Sequence, residues 1–360
     1  MASQPAGDEL RETCVQGQVT GFHERGLDDG ALRSLCLADP PRSGARLAIQ
    51  WLRENELPSG GIRVHDKHPR AYPEVTGYLV PSMIACGERA LARRCIEWLV
   101  STQEPDGSYW DPDRRRPFIF DTAQVVRGLL AGNDLASGAQ RAARRACDWL
   151  CDRAIDGGRS GFPTEYEGKD HIPESIQLHI LPVLRQAADC LEDPRYRQTA
   201  DRCLDFYLRQ AGTLDIEATL THFLAYEIEG LIDLGRADVA DPVLGKLESL
   251  QLPDGSVRGI GGVKWVCVPG LIQLAVCWYK TGRLEAAHAA FKWVEQRQEE
   301  SGGFRGSLGT QAWYFPEDQP AWAVKYYLDA SIWLTFFDRS TQVFDARVPD
   351  DDGRTELARV

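Results

Sequence analysis

Apolar residues recur along this chain in two alternating patterns. One is a stripe: Leu91, Cys95, Trp98 and Leu99 lie on one face, with arginines on the other. That is the spacing of an amphipathic helix with one buried side. The other is almost continuous: 77–86 and 266–278 are apolar nearly all round, as expected of a helix buried on both faces. The patterns alternate about six times, roughly every fifty residues, and a period of that length marks a repeat architecture. The striped helices carry an aromatic near their ends, at Trp51, Trp98, Trp149, Phe206, Tyr207 and Trp293, and a Gly-rich turn follows most of them.

Six pairs result. Striped helices over 44–54, 88–103, 138–152, 195–210, 236–250 and 283–299 are paired in order with apolar helices over 73–86, 120–132, 174–190, 221–234, 266–281 and 321–337. Closing six such pairs gives an all-α fold, an (α/α)6 toroid, with the apolar helices as the inner ring. The toroid is expected over 43–340, after a leader at 1–42 and before an acidic tail at 341–360. The loops before the inner helices are long and rich in polar and aromatic residues: 63–72, 109–120, 162–173 and 305–320. They gather on one rim, and long structured loops are where function concentrates.

Composition narrows the function. The 360 residues carry a net charge of −12, which argues against a nucleic-acid footprint or an anionic membrane surface. No apolar run approaches the roughly 20 residues of a membrane span, and the first eight residues lack a signal-peptide core; a cytoplasmic protein without membrane insertion is expected. Ten cysteines, scattered singly, read as core filler in a reducing compartment.

The turns Gln103-Glu104-Pro105-Asp106-Gly107-Ser108-Tyr109-Trp110 and Gln251-Leu252-Pro253-Asp254-Gly255-Ser256 resemble the Q-x-x-D-G-S-W repeat of squalene-hopene cyclases and protein prenyltransferase β-subunits. The resemblance implies the toroid rather than a chemistry. Class II terpene cyclases protonate substrate from a D-x-D-D-T-A segment. The matching stretch here is Phe118-Ile119-Phe120-Asp121-Thr122-Ala123, with Phe120 where the acid belongs, which argues against polyene cyclisation. The Asp, Cys and His zinc set of prenyltransferases is not found. Trp265-Val266-Cys267-Val268-Pro269-Gly270 echoes the lanthionine-cyclase toroid without the Cys-His pair of its zinc site. Sugar-active toroids (uronyl hydrolases, N-acyl-glucosamine epimerases, glucuronyl C5-epimerases and polysaccharide lyases) share the architecture. The stretch from Gly302 to Ala330 resembles a toroid family of bacterial surface-polysaccharide gene clusters.

The candidate chemistry sits at the starts of the inner helices. Glu74, Asp121 and Glu174 are carboxylates in first turns. The helix dipole alone favours them there by ~0.3–1 kcal/mol; in a low-dielectric mouth one of them becomes a general acid or base. His222 begins another inner helix and suits proton transfer, with Tyr226 one turn on. Asp121, Glu174, His222 and Tyr226 are therefore the catalytic candidates. Expected to bind substrate are His65, His68, Tyr72, Glu74, Arg127, Trp313, Tyr314, Trp322, Lys325 and Asp329, with Tyr78 and Tyr166 among further rim aromatics. The aromatics stack on sugar rings, while Arg127 or Lys325 meets a substrate carboxylate. Lys325 and Asp329, at i and i+4, equally suit an intrahelical ion pair. His65 and His68 lack a clear third ligand, so no metal and no cofactor is expected. The leading expectation is an enzyme of polysaccharide or glycoconjugate biosynthesis. It would take a small-molecule or oligosaccharide substrate and act on an acidic sugar by proton transfer, as an epimerase or lyase. A glycoside hydrolase using paired carboxylates, a divergent terpenoid-type cyclase, and a non-catalytic glycan- or protein-binding toroid are the alternatives.

Overall fold

Where the apolar pattern is continuous the chain forms inner helices, and where it is striped it forms outer ones. The computed structural model describes residues 42–154, 161–163, 165, 171–210 and 213–345, with side chains to 338. The inner ring comprises α2 (Pro73–Ala85), α4 (Ile119–Ala131), a 3₁₀ segment (Glu174–Ile180) running into α6 (Leu181–Cys190), α8 (Thr221–Asp233), α10 (Val268–Lys280) and α12 (Ala321–Asp345). The outer ring comprises α1 (Ser43–Glu54), α3 (Arg89–Thr102), α5 (Ala139–Arg153), α7 (Pro194–Tyr207), α9 (Ala237–Ser249) and α11 (Leu284–Glu295). Each inner helix packs on the next, and α12 packs on α2, closing the ring. Helix α12 runs past 341, into the span expected to be an acidic tail; the expected leader up to residue 41, the rest of that tail and Tyr166 lie outside the described residues.

The hairpins differ from the expected pairing. Each outer helix packs chiefly on the inner helix before it, and α1 packs on α12. The reason lies in the connections. Inner-to-outer links such as 86–88, 191–193, 234–236 and 281–283 span three residues, and such short links force antiparallel neighbours. The outer-to-inner links are the long ones, and they form the rim.

Two devices hold the ring. Where inner helices touch, glycine lets backbones meet: a Cβ on Gly128 would lie 2.3 Å from the Gly77 carbonyl oxygen, so α2 and α4 approach as only glycine allows. Where outer helices meet, the Gln-Gly turn stitches them. Gln103 Nε2 donates to the Gly107 carbonyl at 3.0 Å and, across the joint, to the Ala142 carbonyl of α5 at 2.8 Å. Gln251 does the same to Gly255 and Ala286, and Gln298 to Gly302 and Gly44. In the first two turns the Asp caps the following Ser and receives the next helix's indole N–H, Trp149 on Asp106 and Trp293 on Asp254. The glutamine thus bridges two outer helices as well as closing its own turn.

The segment at 174–190 is not one α-helix. Pro182 has no N–H and its ring opposes the carbonyl four residues back, so the chain winds as 3₁₀ before it. On the rim, β1 (Val266–Cys267) pairs antiparallel with β2 (Ser307–Leu308), joining the loops ahead of α10 and α12. A bridge between His65 and Pro320 joins the first long loop to the last. No described helix is long and apolar enough to cross a membrane.

Candidate active site

The inner helices run parallel, so their N-terminal ends converge on the long-loop face. A cavity of about 540 Å³ opens there. Tyr72 and Glu74 reach it from the start of α2, Phe120 and Asp121 from α4, Ile176 from the 3₁₀ segment, His222 and Tyr226 from α8, and Trp322 from α12; Trp313, Tyr314 and Asp318 come from the last long loop. Pro73 at the first position of α2 presets that turn, which carries Glu74 inward.

Two carboxyl groups define the chemistry. Asp121 is 3% exposed and accepts a hydrogen bond from the Tyr72 hydroxyl at 2.6 Å. Burial dominates and lifts its pKa to about 8; the Tyr72 bond opposes this, and the charges of Glu165 and Asp111 add to it. Glu74, also buried, is pushed well above the usual carboxylate range by burial and then by Asp121, with partial relief from Lys325. The helix N-termini favour the anions by less than ~1 kcal/mol, and desolvation outweighs this. The pair, whose titrations belong to both groups, therefore holds a proton at neutral pH.

The remaining walls are aromatic. The Trp322 indole lies parallel to the His222 ring, 13° between planes and 6.5 Å between centroids. Phe120 meets Tyr226 edge-on at 5.0 Å, and Phe315 meets Trp322 edge-on at 5.1 Å. Trp313 stands at the lip, 47% exposed, edge-on to His171 at 5.0 Å. Burial holds His222 neutral, its pKa lowered to about 3.

Several sequence candidates lie elsewhere. Glu174 does not line the cavity. The tighter 3₁₀ winding puts Ile176 on the wall and leaves Glu174 partly exposed at the segment's start, and Glu74 rather than Glu174 is the carboxyl beside Asp121. Arg127 does not reach the cavity either; its Nε donates to Gln124 at 3.1 Å and its Nη2 to the His179 carbonyl at 3.3 Å. Six residues past Asp121, it lies ~9 Å further down the helix. Lys325 pairs with Asp329 at 2.8 Å and lies 3.6 Å from the Tyr326 ring centroid, and Asp329 also accepts from Ser82. Among the described residues, no lysine or arginine lines the cavity.

His65 and His68 sit on the rim, their rings 5.4 Å apart. His65 Nδ1 is 3.8 Å from Asp66 Oδ1 and 3.9 Å from Asp318 Oδ1. Among the described residues these three donors alone are close enough to share a cation. Lys67 Nζ, 2.9 Å from the same Asp318 oxygen, already supplies that carboxylate with a positive charge.

Sequence reasoning missed Phe120 as a wall residue, along with Ile176, Phe223, Phe315 and Asp318. Phe315 and Asp318 had a signal, since both fall in the long loop before α12. It also missed a buried network below the cavity. Lys280 Nζ, on the last turn of α10, lies 2.9 Å from Glu229 Oε1 and 2.7 Å from Asp233 Oδ1. Gln273 Nε2 donates to Glu229 Oε2 at 2.9 Å.

No family model and no curated protein sequence matches the chain. Solved structures do. The unsaturated glucuronyl hydrolase of Bacillus sp. GL1, responsible for degradation of glycosaminoglycan, is 18% identical at a TM-score of 0.63, over 81% of this chain and 95% of that one. The cellobiose 2-epimerase of Bacillus thermoamylovorans is 12% identical at 0.64, over 82% and 98%. A polysaccharide lyase is 10% identical at 0.56, over 83% and 99%. At such identities the likeness is one of fold alone, an (α/α)6 toroid.

Proposed function

We propose that this chain is a carbohydrate-active enzyme that transfers a proton from a buried carboxylic acid to a sugar held in the aromatic mouth, with glycoside hydrolysis as the reaction the site suits best. One observation carries the reading: Glu74 and Asp121, from neighbouring inner helices, share a cavity with aromatic walls and, among the described residues, no cation in its lining. Such a pair keeps a proton at neutral pH and can place it on a leaving-group oxygen. The carbon–oxygen bond breaks, water adds to the sugar carbon, and the proton that water loses returns to the pair. Proton abstraction beside a uronate carboxylate fits less well. It builds negative charge, and the two cations expected for that charge, Arg127 and Lys325, are engaged away from the cavity.

A second reading has its own observation. His222 is neutral and packs against Tyr226 with ring centroids 4.6 Å apart. A neutral base beside a hydroxyl suits epimerisation of a neutral sugar, where no substrate carboxylate needs compensation. In both readings the mouth takes a mono- or oligosaccharide. The test is incubation in D2O with cellobiose, unsaturated glucuronyl disaccharides and neutral and uronate oligosaccharides. Free reducing sugars without deuterium at carbon support hydrolysis. Deuterium at carbon without cleavage moves the assignment to epimerisation. Measurable sugar binding with neither change would replace catalysis with a binding role.

A further inference from the structure

The buried network below the cavity has no part in the proton transfer described above, yet it ends on a cavity residue. Lys280 holds Glu229 Oε1 at 2.9 Å, and Glu229 Oε2 receives Gln273 Nε2 at 2.9 Å. Glu229 is held ionised: burial would raise its pKa, but the charges of Lys280 and then Lys325 carry it well below the usual range. An anion accepts and does not donate, so the Gln273 amide has one orientation, NH2 toward Glu229 and Oε1 away. Away from Glu229 the amide faces His222. Gln273 Oε1 and His222 Nδ1 are both buried, and neither has a hydrogen-bond partner among the described residues, so each is free to serve the other. Gln273 is 0% exposed and His222 2%, so bulk water does not compete for either group.

The geometry points to Gln273 as a positioning residue: fixed by the Glu229–Lys280 pair, it holds the His222 proton on Nδ1 and leaves Nε2 as the acceptor directed to the cavity. A neutral imidazole carries one proton, and the hydrogen bond made by one nitrogen decides which nitrogen is left as base. The chemistry runs one way. Lys280 keeps Glu229 an acceptor, Glu229 turns the amide, and the amide oxygen accepts only from an N–H. Close packing supports the same alignment. A Cβ on Gly270 would lie 2.6 Å from the His222 backbone nitrogen, so α10 and the start of α8 meet without slack at the level of this contact.

The role of His222 as base belongs to the epimerase reading above, and this inference rests on that reading only for its effect on rate. The test therefore reads the tautomer directly. In the full chain labelled with 15N-histidine, long-range 1H–15N correlations identify the protonated nitrogen of each ring, and His222→Gln assigns the signal. Wild type is expected to show His222 as the Nδ1–H form. Gln273→Leu, near in size but without an acceptor, is expected to lose that preference; Gln273→Glu, which keeps an acceptor, is expected to restore it. Should the leucine variant fail to fold, Glu229→Gln reads the same point, since a neutral partner no longer dictates the amide's orientation. With a substrate in hand, Gln273→Leu should lower kcat ~10–100-fold, the usual cost of losing an orienting partner, with KM little changed. An Nε2–H tautomer in wild type, or an unchanged His222 signal in Gln273→Leu, overturns the proposal. A changed tautomer with unchanged turnover upholds it and counts against His222 as the base.

Discussion

Two groups of buried charge sit in one ring, and burial has opposite outcomes for them. Below the cavity, Glu229 lies beside Lys280 and takes the ionised form. At the mouth, Glu74 and Asp121 have each other, a tyrosine hydroxyl and aromatic rings, and burial drives both toward the protonated form. Both groups are nearly excluded from water, and the difference lies in the charges beside them. For Glu229 the charges of Lys280 and then Lys325 together outweigh desolvation, whereas Asp233, which shares Lys280, is still pushed up by burial. The paired group holds a charge, and the mouth pair holds a proton.

The sharpest way to break this contrast is to remove the stored proton. Asp121→Asn keeps the shape and a partner for Tyr72 but cannot release a proton. Turnover should fall ~100–10,000-fold, while the midpoint of thermal unfolding holds or rises because a costly buried carboxyl is gone. Near-normal turnover would show that the mouth pair is not the acid.

In the network below the cavity the order reverses, with stability lost first. Lys280→Met leaves Glu229 and Asp233 without their cation, and breaking a buried pair from one side costs ~3–5 kcal/mol. Urea unfolding of purified variants measures this directly. A loss below ~1 kcal/mol would mean that the network is not what stabilises that region.

Helix spacing links the two effects. Gly128→Ala places a methyl against the Gly77 carbonyl, and overpacking of this kind costs ~1–3 kcal/mol. Because α2 and α4 carry Glu74 and Asp121, the variant should also lower kcat, whereas Gly235→Ala, in a turn with open space at its Cβ, should affect stability alone through its positive φ.

The smallest effect is on pH dependence. Asp121 releases its proton near 8 when folded, and Glu165 and Glu227 near 7, while all three do so near 4 when unfolded. Their contribution is full below pH ~4 and is lost as pH rises through the folded values. His222, lowered to about 3, acts oppositely: its contribution is full above pH ~6.5 and lost as pH falls toward the folded value. Above pH ~6.5 only the carboxyls count. Stability should decline from pH 6.5 to 8 by up to ~1.4 kcal/mol per unit for each group still titrating. Calorimetry across that window should show a shallower decline in Asp121→Asn; an unchanged slope would mean that Asp121 does not hold its proton.

The fold was largely legible because burial writes itself into periodicity. The apolar run beginning at Pro73 and the stripe through Trp98 each placed a helix within a residue or two of its observed ends. Hairpin pairing was not legible from periodicity, since a stripe says that a face is buried but not against which neighbour; the three-residue links decide that. At the mouth, Glu74, Asp121 and His222 could be read because a helix start on the long-loop side is a position as well as a residue. Glu174 was misplaced because Pro182 changes the winding before it, and a shift from α to 3₁₀ turns a side chain away from the axis. Arg127 and Lys325 looked like substrate cations because the sequence shows that a charge is buried but not what satisfies it. The Lys280–Glu229–Gln273 chain spans about fifty residues of sequence, and no local pattern announces it.

The joint between the last and first outer helices has a further meaning. Gln298 bridges Gly302 and Gly44 as Gln103 bridges Gly107 and Ala142, although no peptide bond joins α11 directly to α1. The belt is therefore fastened by the same clasp where the chain runs on and where it does not. Chain order and spatial order are separable in such a ring. A circular permutant that links 338 to 43 and opens within 132–138 keeps every one of these clasps, so evolution could move the ends of the chain around this toroid without rebuilding its mouth.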